Sequence, residues 1–397
     1  MRKENIKYKA LTAIRYLGDG FFYPFFALYL VSRGLLEARI GFILSISPLL
    51  AILMNPIYAK ICNKIKKTRI TLGIISILEG LMILLIGFSS NFYFITALTI
   101  FMAIFGACHY GLMDSLLAIY SDNSKQNYSG FRLYGSGAYI IATAASGYIC
   151  KLVSYQVAFG VSFGLFVISG ILYLVLKDIN IEEELDSNKN DLADYKVVLS
   201  NKRFVFFMFF YGLMLALIFT NNNFFGTYLE TRGVDSDGYG LVFSYFVAVE
   251  LVVLLILNKM KKKISPYILL IISAISLVIR LLVCYLYAPV WLVIVSSGLR
   301  GIGYGIILHV SYQYVIDLVG EDKATKGIML CTLIYSILLF AFNNINGNLI
   351  EIYGYKNYYL INLIASIVLL IYSSLIPLFN KKRIETKEEL ENNNQNE

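Results

Sequence analysis

FFALYLVSRG, at Phe25–Gly34, returns as FFGTYLETRG at Phe224–Gly233, with Phe, Phe, Tyr, Leu, Arg and Gly in register. The same offset pairs Gly41 with Gly240 and Ser45 with Ser244, and a little further on NKIKK at Asn63–Lys67 matches NKMKK at Asn258–Lys262. One apolar segment with a basic turn is therefore written twice. Chance similarity between apolar helices does not keep several separate marks in order. Both copies run in the same sense, so they are parallel repeats related by an axis along a membrane normal, with a binding site expected between two bundles near the midplane.

The surrounding chain supplies the membrane. Of 397 residues, 58% are hydrophobic and 15% charged, and the mean hydropathy is +0.68. A soluble domain spends roughly a quarter of its residues on charge, and a soluble fold of this size buries at most about three quarters of its surface. Lipid is the solvent for much of this chain. The 31 Tyr and 27 Phe against a single Trp, Trp291, suit a lipid-facing surface with aromatic interfaces. A helix crosses the hydrocarbon in about twenty apolar residues. That length sets spans at 10–32, 38–60, 70–90, 93–120, 131–152, 155–176, 204–230, 239–258, 265–287, 289–316, 324–347 and 355–378. The runs are continuous and lack the alternation of a barrel. The first carries Arg15 and Asp19 and passes Leu30, too long for a cleavable leader, so it is expected to stay as the first span.

A net charge of +8 raises the question of nucleic acid, and the distribution answers it. Basic residues gather at the N-terminus, Lys60–Arg69, Lys125, Arg132, 177–203, 259–263, Lys323, Lys326 and the tail. The opposite face holds only Arg33, Arg39, Lys151, Arg232 and Lys356. This positive-inside pattern puts both termini in the cytoplasm and excludes a nucleic-acid partner. The polar stretch 177–203 divides the chain into six helices and six helices: bundles 1–176 and 204–380, a cytoplasmic central loop 177–203, and a tail 381–397 expected to be disordered. DYKVVLSNKRF within and just after the loop reads as a short interfacial helix leading into the seventh span. The fold class is an all-α membrane protein of twelve transmembrane helices in two pseudo-symmetric six-helix bundles.

No cofactor or metal is expected. Cys62, Cys108, Cys150, Cys284 and Cys331 show no CxxC spacing, and His109 and His309 lack acidic or thiol partners at ligand spacing. There is no GxxxxGK[ST] loop, which removes ATP as an energy source, and no HExxH; GVSFG at Gly160–Gly164 fits GxSxG by letter but lies inside an apolar span rather than at a strand-to-helix turn, which leaves a membrane-embedded enzyme as a remote alternative.

NPIYAKICNKIKKTR resembles the major facilitator superfamily signature between its second and third helices, with Ala59 for the usual glycine, Asn63 for the usual aspartate and Lys64 keeping the positive charge. The resemblance implies two six-helix bundles and transport by alternating access.

Ionisable groups at membrane depth cost about 2.5–3.5 kcal/mol each on insertion scales, so they face cavities or each other. Here they are Arg15, Asp19, Glu79, Asp114, Arg132, Glu250, Arg280 and Arg300. Asp19 follows Arg15 by one turn on the same helical face, either as a structural pair or as a titratable carboxylate held by a guanidinium. Several positions are similar to the branch that holds lactose permease and the nucleoside and aromatic-acid proton symporters. In that branch a carboxylate in helix 4 is followed eighteen positions on by an arginine opening helix 5, as Asp114 and Arg132 are here, and an aromatic seven further on, here Tyr139, stacks on the sugar. Glu250 and Arg280 resemble its Glu and Arg pair in helices 8 and 9. The departures are Arg300 where the permease has histidine, Gly303 where it has its proton-binding glutamate, and Thr220, Asn221, Asn222 and Asn223 where it has helix 7 acids.

The resemblance implies substrate binding by Asp114, Arg132, Tyr139, Asn221, Asn222, Arg280 and Arg300. The permease proton site does not transfer, which leaves Glu250 first, then Asp19, then Glu79 as the proton-coupling carboxylate. The expected function is secondary active, proton-coupled import of a small polar solute (sugar, oligosaccharide or nucleoside) across the cell membrane, with sodium as the other coupling ion and a monomer as the working unit. The alternative is a proton-driven efflux antiporter for amphipathic compounds, favoured by Asp19 and the aromatic content. Helix 5, rich in Gly135, Gly137 and Gly147, lacks the Gly-Pro pattern of drug antiporters and reads as a close-packing face.

Overall fold

The computed structural model describes residues 2–62, 65–124, 128–177, 191–260 and 264–375. Asn63 and Lys64 of the basic turn, 178–190 of the central loop and the tail 381–397 lie outside the described residues. The helices are α1 (Arg2–Phe22), α2 (Phe26–Ser32, joined to α1 by a 3-10 turn at Tyr23–Phe25), α3 (Glu37–Ile61), α4 (Ile65–Gly87), α5 (Phe92–Gly106), α6 (His109–Ser124), α7 (Tyr128–Leu152) and α8 (Tyr155–Val175). After the loop come α9 (Asp191–Ser200), α10 (Lys202–Thr231), α11 (Ser236–Lys259), α12 (Pro266–Tyr285), α13 (Val290–Val319) and α14 (Glu321–Ser374). No strand occurs among the described residues.

Nine helical runs among the described residues are long and apolar enough to cross a membrane. One of them, α14, has 54 residues and is broken at Gly354, whose φ of 75° only glycine adopts readily, so it supplies two spans. Two further spans fall short of the apolar threshold through composition alone. The α1–α2 run carries Arg2, Lys3, Glu4, Lys7, Lys9, Arg15 and Asp19, and α7 is rich in Gly, Ser and Tyr. The twelve-span all-α membrane fold stands. The fourth span, expected as one run over 93–120, is two helices, α5 and α6, interrupted at Ala107–Cys108. Gly106, the last residue of α5, abuts a carboxylate: a Cβ there would lie 2.7 Å from Glu79 Oε1.

The repeat is duplicated in detail. α2 ends in a Schellman cap in which Leu35 N–H donates to Leu30 O at 3.2 Å and Gly34 N–H to Val31 O at 2.8 Å. α10 ends the same way, with Val234 N–H to Leu229 O and Gly233 N–H to Glu230 O, both at 3.0 Å. Gly34 and Gly233 hold φ of 75° and 81°, which this cap requires. Just before each cap an arginine lies over a tyrosine ring, Arg33 on Tyr29 at 5.0 Å and Arg232 on Tyr228 at 5.7 Å.

The chain packs as two compact units that cut through α10, α11 and α14. Counting only described residues, one comprises those within 2–177, Phe219–Ala248 and Leu339–Gly354, and the other those within 191–218, Val249–Leu338 and 355–375. Within the first unit two helix crossings are built on facing glycines. A Cβ on Gly147 of α7 would lie 3.1 Å from Gly240 Cα of α11, and a Cβ on Gly347 of α14 would lie 3.0 Å from Gly41 Cα of α3. Hydrogen bonds seal each crossing: Thr143 Oγ1 and Ser244 Oγ are 2.6 Å apart, and Asn343 Nδ2 donates to Leu44 O at 3.1 Å. Small residues let backbones approach, and dispersion plus these bonds replace the hydrophobic drive that lipid removes. Within the second unit, α9 docks through Lys326 Nζ to Asp194 Oδ2 at 2.6 Å, and Asn201 caps α10 while its Nδ2 donates to Leu318 O at 2.7 Å.

Candidate functional site

In the first unit the charge of α1 is buried. Arg15 and Asp19 stand one turn apart, with Arg15 Nη2 at 3.1 Å from Asp19 Oδ1. The same guanidinium forks onto Glu79 of α4, Nη1 to Oε2 at 2.9 Å and Nη2 to Oε1 at 3.1 Å, and stacks 4.0 Å from the Phe166 ring centroid. Tyrosines complete the carboxylates: Tyr23 donates to Glu79 Oε1 at 2.7 Å and Tyr110 to Asp19 Oδ2 at 2.6 Å. Arg15 is 1% exposed and Asp19 and Glu79 are 0% exposed. Two carboxylates against one guanidinium give the buried cluster a formal excess of one negative charge. Beside it, His109 Nε2 lies 3.1 Å from the Tyr173 hydroxyl.

A second set adjoins the first through aromatic rings. Tyr16 packs edge-on to Tyr110 at 5.7 Å and to Tyr139 at 6.4 Å. Its hydroxyl is hydrogen-bonded to Arg132 and lies within electrostatic range of Asp114 and Asp19. Asp114 is half-buried, and its Oδ1 is shielded from solvent without a hydrogen bond, whereas Arg132 is exposed. Tyr139 also meets Phe243 at 6.0 Å. Gly135 makes room for the Tyr16 ring, since a Cβ there would fall 2.9 Å from Tyr16 Cδ2. A carboxylate, a guanidinium and two ring faces together can exchange several hydrogen bonds with vicinal hydroxyls and cover an apolar face. The Arg fork keeps its charge and shape when a ligand leaves.

The polar run of α10 lies in the same unit. Asn223 Nδ2 donates to Asn343 Oδ1 and Asn346 Nδ2 to Thr220 Oγ1, each at 3.1 Å, so these side chains bind α10 to α14. Asn221 and Asn222 are buried.

In the second unit Glu250 forms an ion pair with Arg300, whose guanidinium also lies 4.7 Å from the Tyr304 ring centroid. The sequence reading set Glu250 beside Arg280; the ion pair the structure gives Glu250 is with Arg300. Gly305, five residues on from Arg300, lets α13 approach α11 closely: a Cβ there would lie 3.1 Å from Glu250 O. Arg280 is fully buried, near Cys284, Tyr358 and Tyr359 and within electrostatic range of Arg300. His309 Nδ1 lies 2.9 Å from Asn258 Oδ1.

The MFS_1 like family model matches residues 6–360. The chain belongs to the MFS_1 like family. It is a multi-pass membrane protein and a secondary transporter. Among curated proteins it is 23% identical over 317 residues to the uncharacterized transporter YwbF of Bacillus subtilis (strain 168), covering 79% of this chain and 78% of that one. It is 22% identical over 313 residues to the maltose permease of Geobacillus stearothermophilus, covering 78% of each. Among solved structures, a point mutant of the nucleoside transporter NupG superposes with a TM-score of 0.85 at 15% identity, covering 94% of this chain and 99% of that one. A POT family transporter in complex with 5-aminolevulinic acid follows at 0.71 and 13%, covering 96% of each. These structural likenesses are likenesses of fold.

In this MFS_1-like transporter the first unit gathers Asp19 and Glu79 into one cluster and Asp114, Arg132 and Tyr139 around Tyr16, and it also contains Asn221 and Asn222. Glu250, Arg280 and Arg300 belong to the second unit. Sequence reasoning missed Tyr16, Tyr23 and Tyr110. The available signal was their sequence neighbours: Tyr16 follows Arg15 and Tyr110 follows His109 in spans otherwise made largely of apolar residues.

Proposed function

We propose that this transporter imports a small, hydroxyl-bearing solute, a sugar or nucleoside, together with a proton, across the cell membrane, with both termini in the cytoplasm and a monomer as the working unit. One observation carries the proposal: a dry cluster with one negative charge in excess lies one aromatic contact from a carboxylate and guanidinium suited to hydroxyls. Within the first unit, substrate is held by Asp114, Arg132, Tyr16 and Tyr139, with Asn221 and Asn222 of the same unit; Arg280 and Arg300 are the substrate-binding candidates of the second unit. Asp19, sharing Arg15 with Glu79, is the proton-binding carboxylate, ahead of Glu250, whose charge Arg300 already answers at one-to-one. The names of the curated relative that is a maltose permease and of the structural neighbour that is a nucleoside transporter support this solute class. A proton moving inward through about 100 mV supplies roughly 2.3 kcal/mol, enough for close to fifty-fold accumulation.

The test is uptake of radiolabelled maltose, other sugars and nucleosides into proteoliposomes under an imposed inward proton gradient. Asp114→Asn and Arg132→Gln should raise the half-saturating concentration of the accepted solute. Uptake indifferent to the gradient, or binding untouched by both substitutions, would overturn the proposal.

A further inference from the structure

We propose that Tyr110 couples the proton to the substrate: its hydroxyl reads whether Asp19 is protonated, and its ring passes that state through Tyr16 to Arg132 and Asp114. This rests on the function proposed above and assigns a positioning residue to it.

Asp19 meets a guanidinium on one oxygen and a phenol on the other, Arg15 at 3.1 Å from Oδ1 and Tyr110 at 2.6 Å from Oδ2. Arg15 stays charged and is pinned by its fork on Glu79 and by the Phe166 ring, and Asp19 Oδ1 lies beside it without a hydrogen bond. Tyr110 donates to Oδ2 in the ionised state. A proton arriving from solution removes the carboxylate's charge whichever oxygen it binds, and the charge-assisted bond from Tyr110 weakens. Where Oδ2 itself carries the hydrogen, Tyr110 has to turn its own hydrogen away and accept, or move off. Tyr110 keeps its proton throughout, and the cluster gains one.

The groups that face Asp19 come from four elements and the turn that follows α1. They are Arg15 and Tyr16 of α1, Glu79 of α4 with the Tyr23 hydroxyl bonded to it, Tyr110 of α6 with His109 beside it, and Tyr173 of α8. Tyr110 alone among these is both bonded to Asp19 and in ring contact with Tyr16, at 5.7 Å and 66°. It is also 40% exposed, although its hydroxyl reaches a fully buried carboxylate, so it spans from the dry cluster to open space. Tyr16 in turn bonds Arg132 and packs on Tyr139. A tilt at Tyr110 is thus delivered to the groups that hold substrate.

A reporter free of substrate tests this directly. Tyr139→Trp in a Trp291→Phe background places a single indole against Tyr16, and its emission is followed from pH 5 to 8 in detergent. The parent should show a pH-dependent shift, absent in Asp19→Asn and in Tyr110→Phe, which keeps the ring and removes the hydroxyl. Tyr16→Phe should weaken it. In proteoliposomes, Tyr110→Phe should keep exchange of the accepted solute and lose its proton-driven accumulation. A pH response that survives in Tyr110→Phe, or accumulation intact in that variant, overturns the role of Tyr110. Loss of gradient-driven uptake in the wild-type chain would instead overturn the functional reading.

Discussion

Gly147→Ala adds one methyl group at the place where α7 and α11 come closest. That Cβ would sit 2.6 Å from Ser236 O, 3.1 Å from Gly240 Cα and 3.2 Å from Asp237 Cα, all backbone atoms. Carbon contacts are ordinarily about 3.5–4.0 Å, so the two helices have to separate by several tenths of an ångström or more. No side chain can swing away to absorb it. Overpacking of this kind costs about 1–3 kcal/mol. Gly137 lies on the same helix with nothing within 4 Å of its Cβ position, so Gly137→Ala should gain up to about 1 kcal/mol from helix propensity alone. The two substitutions are chemically identical and should move stability in opposite directions. Thermal unfolding in detergent measures it: at about 2–4 °C per kcal/mol for large domains, Gly147→Ala should melt roughly 2–12 °C below wild type. Oxidation of a Thr143→Cys, Ser244→Cys pair should slow in the Gly147→Ala background, because the hydroxyls they replace are 2.6 Å apart. If Gly147→Ala melts at or above Gly137→Ala, facing glycines are not what holds this crossing.

Other outcomes follow from the buried charges and the repeat. Arg15→Met leaves two carboxylates without their cation and should cost about 3–5 kcal/mol in chemical denaturation at neutral pH, whereas Glu79→Gln, which leaves Arg15 and Asp19 as a neutral pair, should cost less. Asp114→Asn and Arg132→Gln each remove a charge-assisted hydrogen bond of about 1.5–3 kcal/mol, so substrate affinity measured by binding should fall roughly ten- to a hundred-fold with little change in melting temperature. Gly233→Ala places a side chain at φ 81° and should destabilise by about 1–2 kcal/mol, and Gly34→Ala at the matching cap should do the same. Lys151, exposed and bonded at 3.0 Å to Asp235 and Asp237, should affect stability little when changed to Ala, with any effect lost in high salt.

The membrane architecture was legible because hydrocarbon imposes length and apolarity on every span, and these are properties of single segments. The duplicated caps at Gly34 and Gly233 could be read for the same reason: the cap is local and the residues that make it are contiguous. Which charge meets which could not be read, because it depends on how helices face each other. Glu250 had two arginines within reach by span number, and nothing in the sequence said that it would pair with Arg300. Glu79 likewise gave no sign that it shares Arg15 with Asp19. The break at Ala107–Cys108 escaped a hydropathy reading since both sides are apolar, and it falls where a carboxylate on α4 presses on Gly106.

The repeat carries one further consequence. Scaffold and chemistry have been duplicated unequally: the caps and the facing glycines occur in both halves, but the buried charges of α1 have no counterpart on α10. At the offset that aligns Phe25–Gly34 with Phe224–Gly233, Arg15, Tyr16 and Asp19 correspond to Met214, Leu215 and Ile218, all buried and all apolar. An apolar residue at those positions is evidently compatible with the helix and its packing, so the charges of α1 are not there to build the span. A buried ion pair is weak support for stability compared with well-packed apolar groups of the same volume. Retaining Arg15 and Asp19 where the matching helix does without charge makes structural need a poor explanation, and it is the reason to test the proposed role of Asp19 in proton coupling before that of any other carboxylate.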